Sequence, residues 1–122
     1  KLNEIGVQEL AISDTIGVSN PENISAVFGL LKQELPEMEF SAHLHSAPHN
    51  WEEKVTAAFN AGCRSFDSAI KGYGGCPMAK DDLVGNLATE NLITHFKDNI
   101  DMNFNMKAFE NSMKISDKIF IG

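Results

Sequence analysis

The sequence has 122 residues, of which 43% are hydrophobic, and its net charge is −7 with Arg64 as the only arginine. These values predict one soluble domain with a hydrophobic core, and they argue against nucleic acid as a partner, because phosphate binding needs clustered lysine and arginine. Without the roughly 20-residue apolar run of a membrane helix, or the apolar stretch of a signal peptide, the chain is also expected to have no membrane partner.

Strand and helix patterns alternate along the chain, beginning with a strand. Residues 7–14 ("VQELAISD") mix β-branched and apolar residues, which predicts a strand that ends near Asp14. The next segment predicts a helix that is capped by Asn20, begins at Pro21 and stops at Pro36. Its apolar stripe is predicted to consist of Ile24, Val27, Leu31 and Leu35.

The same pattern occurs again in the middle of the chain. Residues 38–46 ("MEFSAHLHS") predict a second strand. The helix after it is expected to start with a capping box of Asn50 and Glu53 and to end at Gly62. Residues 63–70 predict a third strand.

Two further helices are predicted after a long glycine-rich loop. Thr89 can cap the first, which runs to about Asp98, and Phe109, Met113 and Phe120 indicate the second. A helix after each strand favours parallel pairing with right-handed crossovers. Three such units predict an α/β fold, either a small open sheet or a segment of an eight-stranded barrel, which typically needs about 250 residues.

Polar side chains gather at the predicted carboxyl ends of the strands. His43 and His45 leave one face of the second strand, Asp14 lies at the end of the first, and Asp67 and Ser68 lie late in the third. In parallel α/β folds, ligands bind at these strand ends. Two imidazoles on one face form half of a metal site. Taken alone, however, they also fit two partly exposed histidines, and Asp14 also fits an aspartate in a turn.

The glycine-rich loop "IKGYGGCPMAKDDLVGN" (70–86) carries a cysteine. Its glycines match neither a dinucleotide-binding fingerprint nor a P-loop, so no nucleotide phosphate is expected. Cys76 is predicted to be exposed and able to act as nucleophile or proton donor, whereas Cys63, at the far end of its strand, is predicted to be structural. Two cysteines are too few for a disulfide framework, so we expect reduced thiols in a cytoplasmic compartment.

Four motifs follow one another along the chain: "SDTIG" (13–17), "HLH" (43–45), "DSAIKGYGGCPMA" (67–79) and "GNLATE" (85–90). Together they resemble the hydroxymethylglutaryl-CoA lyase family. This resemblance implies that residues 1–122 form part of a TIM (β/α)8 barrel, namely strands six to eight and the C-terminal helices, with strands one to five absent. It also implies an acyl-CoA substrate, 3-hydroxy-3-methylglutaryl-CoA or a close 3-hydroxyacyl-CoA, that is split into acetyl-CoA and acetoacetate.

The resemblance further implies a role for each polar residue of these motifs. His43, His45 and Asn86 would bind a divalent cation, Mg2+ or Mn2+. Cys76 would be the catalytic thiol, Asp14 would lie in the active site, and His43 could assist as a base. One departure from the family is Ser46, which stands where an aspartate is expected after the two histidines.

Two functional hypotheses remain open for this sequence. In the first, the natural protein is an active lyase. In the second, these 122 residues alone are a silent barrel fragment, because the family takes a metal-binding aspartate and a substrate-binding arginine from its first strand. The related isopropylmalate and homocitrate synthases share the Asp-Thr and HxH features but lack the cysteine loop. Open barrel edges also predict that these 122 residues alone self-associate or stay partly unfolded, and the protein is expected to be a homo-oligomer.

Overall fold

The computed structural model describes residues 2–75 and 84–120. Its strands and helices alternate, which confirms the predicted α/β class. Two short 3-10 segments precede β1 and β4, at Asn3–Ile5 and Ile70–Gly72. Among the described residues, no helix has the length and apolarity to cross a membrane. In chain order the elements are β1 (Glu9–Asp14), α1 (Pro21–Glu34), β2 (Glu39–Ser46), α2 (Trp51–Asn60), β3 (Ser65–Phe66), β4 (Gly85–Asn86), α3 (Thr89–Phe96) and α4 (Met106–Ile119).

The central strand of the sheet is β2. It pairs in parallel with β1 on one side, where Asp14 lies opposite Leu44, and in parallel with β3 on the other. These pairs confirm the predicted parallel pairing. The short β4 runs antiparallel to the end of β2 and places Asn86 opposite His45. The sheet therefore brings Asn86, the last residue of the glycine-rich loop, to the end of β2.

The third strand is shorter than the sequence predicts. The prediction covers residues 63–70, whereas β3 contains only Ser65–Phe66. Beyond it the chain pairs with a different segment: the N–H of Ala69 donates to the carbonyl of Leu87 at 2.9 Å, and an isolated parallel bridge joins Ala69 to Ala88. The segment predicted as one strand therefore pairs with two different partners: β3 pairs with β2, and Ala69 pairs with Leu87 and Ala88.

The start of α1 and the end of α2 agree with the predictions. The side chain of Asn20 accepts from the N–H of Asn23 at 2.9 Å, and the side chain of Asn23 accepts from the N–H of Asn20 at 3.0 Å. At the end of α2, Gly62 has a φ of 102° and donates to the carbonyl of Phe59, while the next N–H donates to Ala58. This pair of bonds is a Schellman motif, in which a left-handed glycine ends the helix.

Two predicted helix caps are wrong. Asn50 occupies the cap position of α2, but its side chain accepts from the N–H of Ala47 at 2.9 Å, so it forms no capping box with Glu53. Thr89 is the first residue of α3 rather than its cap, and its hydroxyl pairs with that of Ser68 at 2.9 Å. In both cases the side chain bonds to a partner outside its helix: Asn50 to the loop before α2, and Thr89 to the segment after β3.

The hydrophobic core lies where the helices pack against β2. In α1, Ile24 and Phe28 are buried, Leu31 packs against the core together with Leu35 at the C-cap, and Val27 is 43% exposed. The buried face therefore follows the spacing 24, 28, 31 and 35, with Val27 at its margin. Other core residues are Phe40, Ala42, Leu44, Val55, Ala58, Cys63, Leu87, Leu92 and Phe96.

The predicted final helix is α4, which packs beside the start of the glycine loop. Asn105 caps it by accepting from an N–H in its first turn. Phe109 and Met113 are half-buried. Phe120, just past the end of the helix, is 53% exposed but lies 4.6 Å from the ring of Tyr73, between ring centroids.

Candidate metal centre

Three of the predicted site residues meet at the carboxyl end of β2. His43 and His45 lie on one face with their ring centroids 5.3 Å apart. The antiparallel pairing of β4 brings Asn86 to His45, with 3.0 Å between its Oδ1 and the imidazole Nε2. Asp14 lies at the end of the adjacent strand β1. Cys76 lies outside the described residues.

Both histidines have an oxygen partner on Nδ1. In His43 this atom is 3.0 Å from Oδ2 of Asp67, and in His45 it is 2.7 Å from the carbonyl oxygen of Thr15. Because a carbonyl or carboxylate oxygen only accepts, each Nδ1 is assigned the proton. In the neutral ring, Nε2 then carries the free lone pair. Imidazoles that bind metals are commonly oriented in this way.

Asn86 presents its oxygen to the same place. Its Nδ2 donates to the carbonyl of Tyr73 at 2.8 Å, which leaves Oδ1 facing Nε2 of His45. With a neutral imidazole, two acceptors face each other at 3.0 Å, and only a cation that binds both, or a proton on Nε2, makes that contact favourable. Adjacent ligands of an octahedral cation with bonds of about 2.1 Å are about 3.0 Å apart. The donor set therefore fits a divalent cation.

The described residues do not supply a complete metal site of the usual acidic kind. Within residues 2–75 and 84–120, no three His, Cys, Asp or Glu side chains form a metal-binding group. The cluster instead combines two imidazoles with one amide oxygen, and it lacks a carboxylate ligand. Asp67 is the acidic partner of His43, but its carboxylate pairs with Nδ1 of the ring and not with Nε2, the atom that would bind a cation.

Asp14 is held as a structural anion beneath this cluster. Its carboxylate accepts from the N–H groups of Val18 and Ser19 at 3.0 Å, from the Ser19 hydroxyl, and from the Lys54 ammonium at 3.1 Å. Burial raises the pKa of Asp14, but the hydrogen bonds from Ser19 and Lys54 outweigh burial, so the pKa lies below its ordinary value. The carboxylate thereby fixes the loop between β1 and α1.

Sequence reasoning missed three contributors to the cluster. Lys54 lies on the apolar face of α2, three residues after Trp51 and four before Ala58. A lysine within an apolar stripe is unusual, and this is the sequence feature that could have identified it. The sequence places Asp67 near the site but does not indicate that it pairs with His43. Thr15 acts through its backbone carbonyl, which gives no side-chain signal.

A cavity of about 290 Å3 opens beside the cluster. Ser46, Gly72, Asn86 and Glu90 contribute to its lining, so Ser46, where the resemblance predicts an aspartate, borders this space. Lys71, also in the lining, pairs with Asp117 of α4. The cavity is slightly smaller than the roughly 300 Å3 at which ligand pockets usually begin.

Gly72→Ala should destabilise the fold more than Gly6→Ala. Both glycines have positive φ, 65° and 86°, at which a side chain costs about 1–2 kcal/mol. A Cβ at Gly72 would also lie 2.8 Å from the carbonyl oxygen of Asn86, whereas one at Gly6 would have no atom within 4 Å. We expect Gly72→Ala to lose about 1–3 kcal/mol more in free energy of unfolding, measured in urea. Equal losses would contradict the close backbone approach.

Comparisons with known proteins point in one direction. The family model described as HMGL-like matches residues 1–117. The (R)-citramalyl-CoA lyase of Chloroflexus aurantiacus is 36% identical over 93 residues, which cover 76% of this chain and 29% of that protein. The hydroxymethylglutaryl-CoA lyase of Pseudomonas mevalonii is 37% identical over 93 residues, covering 76% of this chain and 31% of that protein.

A solved structure shows the same fold. The crystal structure of the Bacillus subtilis HMG-CoA lyase matches with a TM-score of 0.84 at 29% identity, covering 96% of this chain and 39% of that chain. The parallel α/β arrangement is therefore that of the lyase neighbours. The chain spans less than a third of the length of the two curated relatives named above.

Proposed function

Because the chain belongs to the HMGL-like family, we propose that it forms strands six to eight of a TIM-barrel lyase. The proposed reaction is the cleavage of 3-hydroxy-3-methylglutaryl-CoA, or a close 3-hydroxyacyl-CoA, at a carbon-carbon bond to release acetyl-CoA. The observation that carries this proposal is the convergence of His45 Nε2 and Asn86 Oδ1 next to His43. The names of the relatives, which include hydroxymethylglutaryl-CoA and citramalyl-CoA lyases, support a CoA thioester as substrate.

The proposed cofactor is Mg2+ or Mn2+, held by His43, His45 and Asn86. Amide oxygen suits both cations, whereas imidazole is more typical of Zn2+, Cu2+ or Fe2+, so the choice of Mg2+ or Mn2+ rests on the family resemblance. The partners on Nδ1 of the two histidines support this assignment, because they leave Nε2 of each ring free to bind. A divalent cation in this position would act as a Lewis acid toward the hydroxyl and carbonyl oxygens of the substrate. From the family resemblance we propose that the missing carboxylate ligand comes from strand one.

The side chains of this chain divide the proton transfers between them. The tertiary hydroxyl of the substrate loses its proton, its carbon becomes a ketone, and the electrons of the broken carbon-carbon bond move into the thioester as an enolate. We propose that a base, for which His43 is the candidate, takes the hydroxyl proton, that the Cys76 thiol protonates the enolate carbon, and that the Cys76 thiolate then regains a proton from that base. No proton is gained or lost overall.

His43 and Asp14 have more restricted roles in this proposal. The Nε2 lone pair of His43 can bind the cation or accept the hydroxyl proton, but not both at once, so its role as a base requires that it leave the cation. The Asp14 carboxylate already accepts from Ser19 and Lys54. We therefore propose that Asp14 contributes to the site by fixing the loop beside His45.

We further propose that these 122 residues alone are inactive. The described cluster offers two imidazoles and an amide but no carboxylate ligand, and a cation held by such a set would be bound weakly. Exposed apolar side chains, including Val18 at 73% and Leu30 at 58%, support self-association. We also propose that the full-length protein is a cytoplasmic homo-oligomer.

The proposed function is tested by a coupled assay for acetyl-CoA release by the full-length protein. With 3-hydroxy-3-methylglutaryl-CoA, activity should disappear on chelation with EDTA and return with Mg2+ or Mn2+. Cys76→Ser should lower kcat about 10²–10⁴-fold, because the proton donor is lost. No release of acetyl-CoA from this or a close 3-hydroxyacyl-CoA would contradict the reaction.

The matched control for the thiol is Cys63→Ala. Cys63 is 1% exposed, and its Sγ lies 3.1 Å from the carbonyl oxygen of Ser65, at the opposite end of the sheet from His45. The folded fraction of this variant should keep the kcat of the wild type. Equal rates for the wild type and Cys76→Ser would rule out the role given to Cys76.

A further inference from the structure

Lys54 is a buried lysine that contacts both the end of β2 and the turn after β1 at the candidate metal centre. Its side chain is 1% exposed. The ammonium group donates to Oδ2 of Asp14 at 3.1 Å, to the carbonyl of Gly17 at 3.0 Å and to the carbonyl of His45 at 2.9 Å. An ammonium has three N–H donors, so each of them has a partner.

This position is an unusual one for a charge. Lys54 lies in the first turn of α2, and Val55, the residue after it, is 0% exposed and part of the core. A buried ammonium is costly unless it is paired and hydrogen-bonded, and a well-packed apolar residue in such a position is often as stable or more stable. The fold alone therefore does not explain why a lysine is needed here.

The three acceptors have one feature in common, which is that they surround the contact that orients His45. Asp14 and Gly17 lie on either side of Thr15, whose carbonyl accepts from Nδ1 of His45 at 2.7 Å. The third acceptor is the carbonyl of His45 itself. One ammonium group thus fixes the turn that carries the acceptor and the backbone that carries the imidazole.

We propose that Lys54 is a positioning residue for the metal-site histidine. By holding the turn at Asp14 and Gly17 against the end of β2, it keeps the Thr15 carbonyl on Nδ1 of His45 and so directs the Nε2 lone pair toward Oδ1 of Asn86. The part of this inference that concerns metal affinity rests on the proposed function. The part that concerns the imidazole tautomer stands without it.

The test compares the full-length protein with its Lys54→Met variant, in which a side chain of similar length keeps the packing but donates no hydrogen bond. In the metal-free wild type, ¹⁵N NMR of labelled histidine should show His45 with its proton on Nδ1. In Lys54→Met the tautomers should mix, and the affinity for Mn2+, measured by electron paramagnetic resonance, should fall about 10–100-fold, as for other losses of an outer partner.

Two further variants separate positioning from stability. Val55→Ala removes buried atoms from the same helix without touching the turn at Gly17, so it should lower stability but keep the tautomer and the Mn2+ affinity. Lys54→Gln keeps two donors and should give an intermediate Mn2+ affinity, and it takes the place of Lys54→Met if that variant does not fold.

The outcomes distinguish this inference from the proposed function. A folded Lys54→Met protein with the wild-type tautomer and the wild-type Mn2+ affinity would overturn the inference, as would a wild type without the proton on Nδ1 of His45. If the wild type binds neither Mn2+ nor Mg2+, the proposed function fails, and the tautomer of Lys54→Met alone decides the role of Lys54.

Discussion

Replacing His45 with alanine should lower the affinity of the full-length protein for Mg2+ or Mn2+ by more than 100-fold and reduce acetyl-CoA release in proportion. The expected loss exceeds the roughly 10–100-fold effect of removing an outer partner, because His45→Ala removes a proposed ligand and leaves Asn86 Oδ1 without its neighbour at 3.0 Å. Isothermal titration with Mg2+ and electron paramagnetic resonance with Mn2+ measure the affinity, and circular dichroism verifies the fold.

His49→Ala is the matched control for this experiment. His49 is a histidine four residues further along the chain, but it is exposed and lies beyond the end of β2. Its replacement should change neither the metal affinity nor the rate. If His45→Ala folds and binds the cation as tightly as the wild type, the assignment of the metal centre to the end of β2 is wrong.

Replacing Phe28 with alanine should lower the free energy of unfolding by about 3–5 kcal/mol, as expected when a large side chain is removed from a core. Phe28 is 2% exposed and belongs to the core cluster. Urea denaturation followed by circular dichroism measures the loss. The unfolding slope should stay constant if the variant still unfolds in a two-state manner.

The adjacent Val27→Ala variant is the control that tests which face of α1 is buried. The sequence pattern places Val27 on the apolar stripe, whereas the structure leaves it 43% exposed. Its replacement should change the free energy of unfolding by no more than about 0.5 kcal/mol. A larger loss for Val27→Ala than for Phe28→Ala would mean that α1 is rotated relative to the structure.

Much of the site was predictable because it depends on local periodicity and on recognisable motifs. The alternation of a strand placed His43 and His45 on one face, and the position of Asp14 followed from the end of the preceding strand. The "GN" motif identified Asn86 by resemblance, but no sequence pattern indicates how Asn86 reaches His45. A two-residue antiparallel strand brings it there. Such a short pairing has no periodicity of its own to detect.

The missed features depend on contacts between residues far apart in the chain. Lys54 acquires its role from carbonyl groups 9 and 37 residues away. Asn50 is a different case: it has the spacing of a capping box, but its side chain bonds to the N–H of Ala47, three residues before it, instead of to Glu53, three residues after it. Local pattern predicts which elements form, whereas the partners of polar groups depend on tertiary packing, which a pattern in the sequence does not contain.

The close approach of the backbone on either side of the segment that carries Cys76 has an evolutionary consequence. A Cβ at Gly75 would lie 2.9 Å from the carbonyl oxygen of Val84, and Tyr73 and Gly74 both accept from Asn86. The two ends of the segment therefore meet at one point of the framework. Doubling the length of such a segment costs only about 0.6 kcal/mol. Insertions between these ends can therefore be accommodated while Asn86 keeps its place opposite His45.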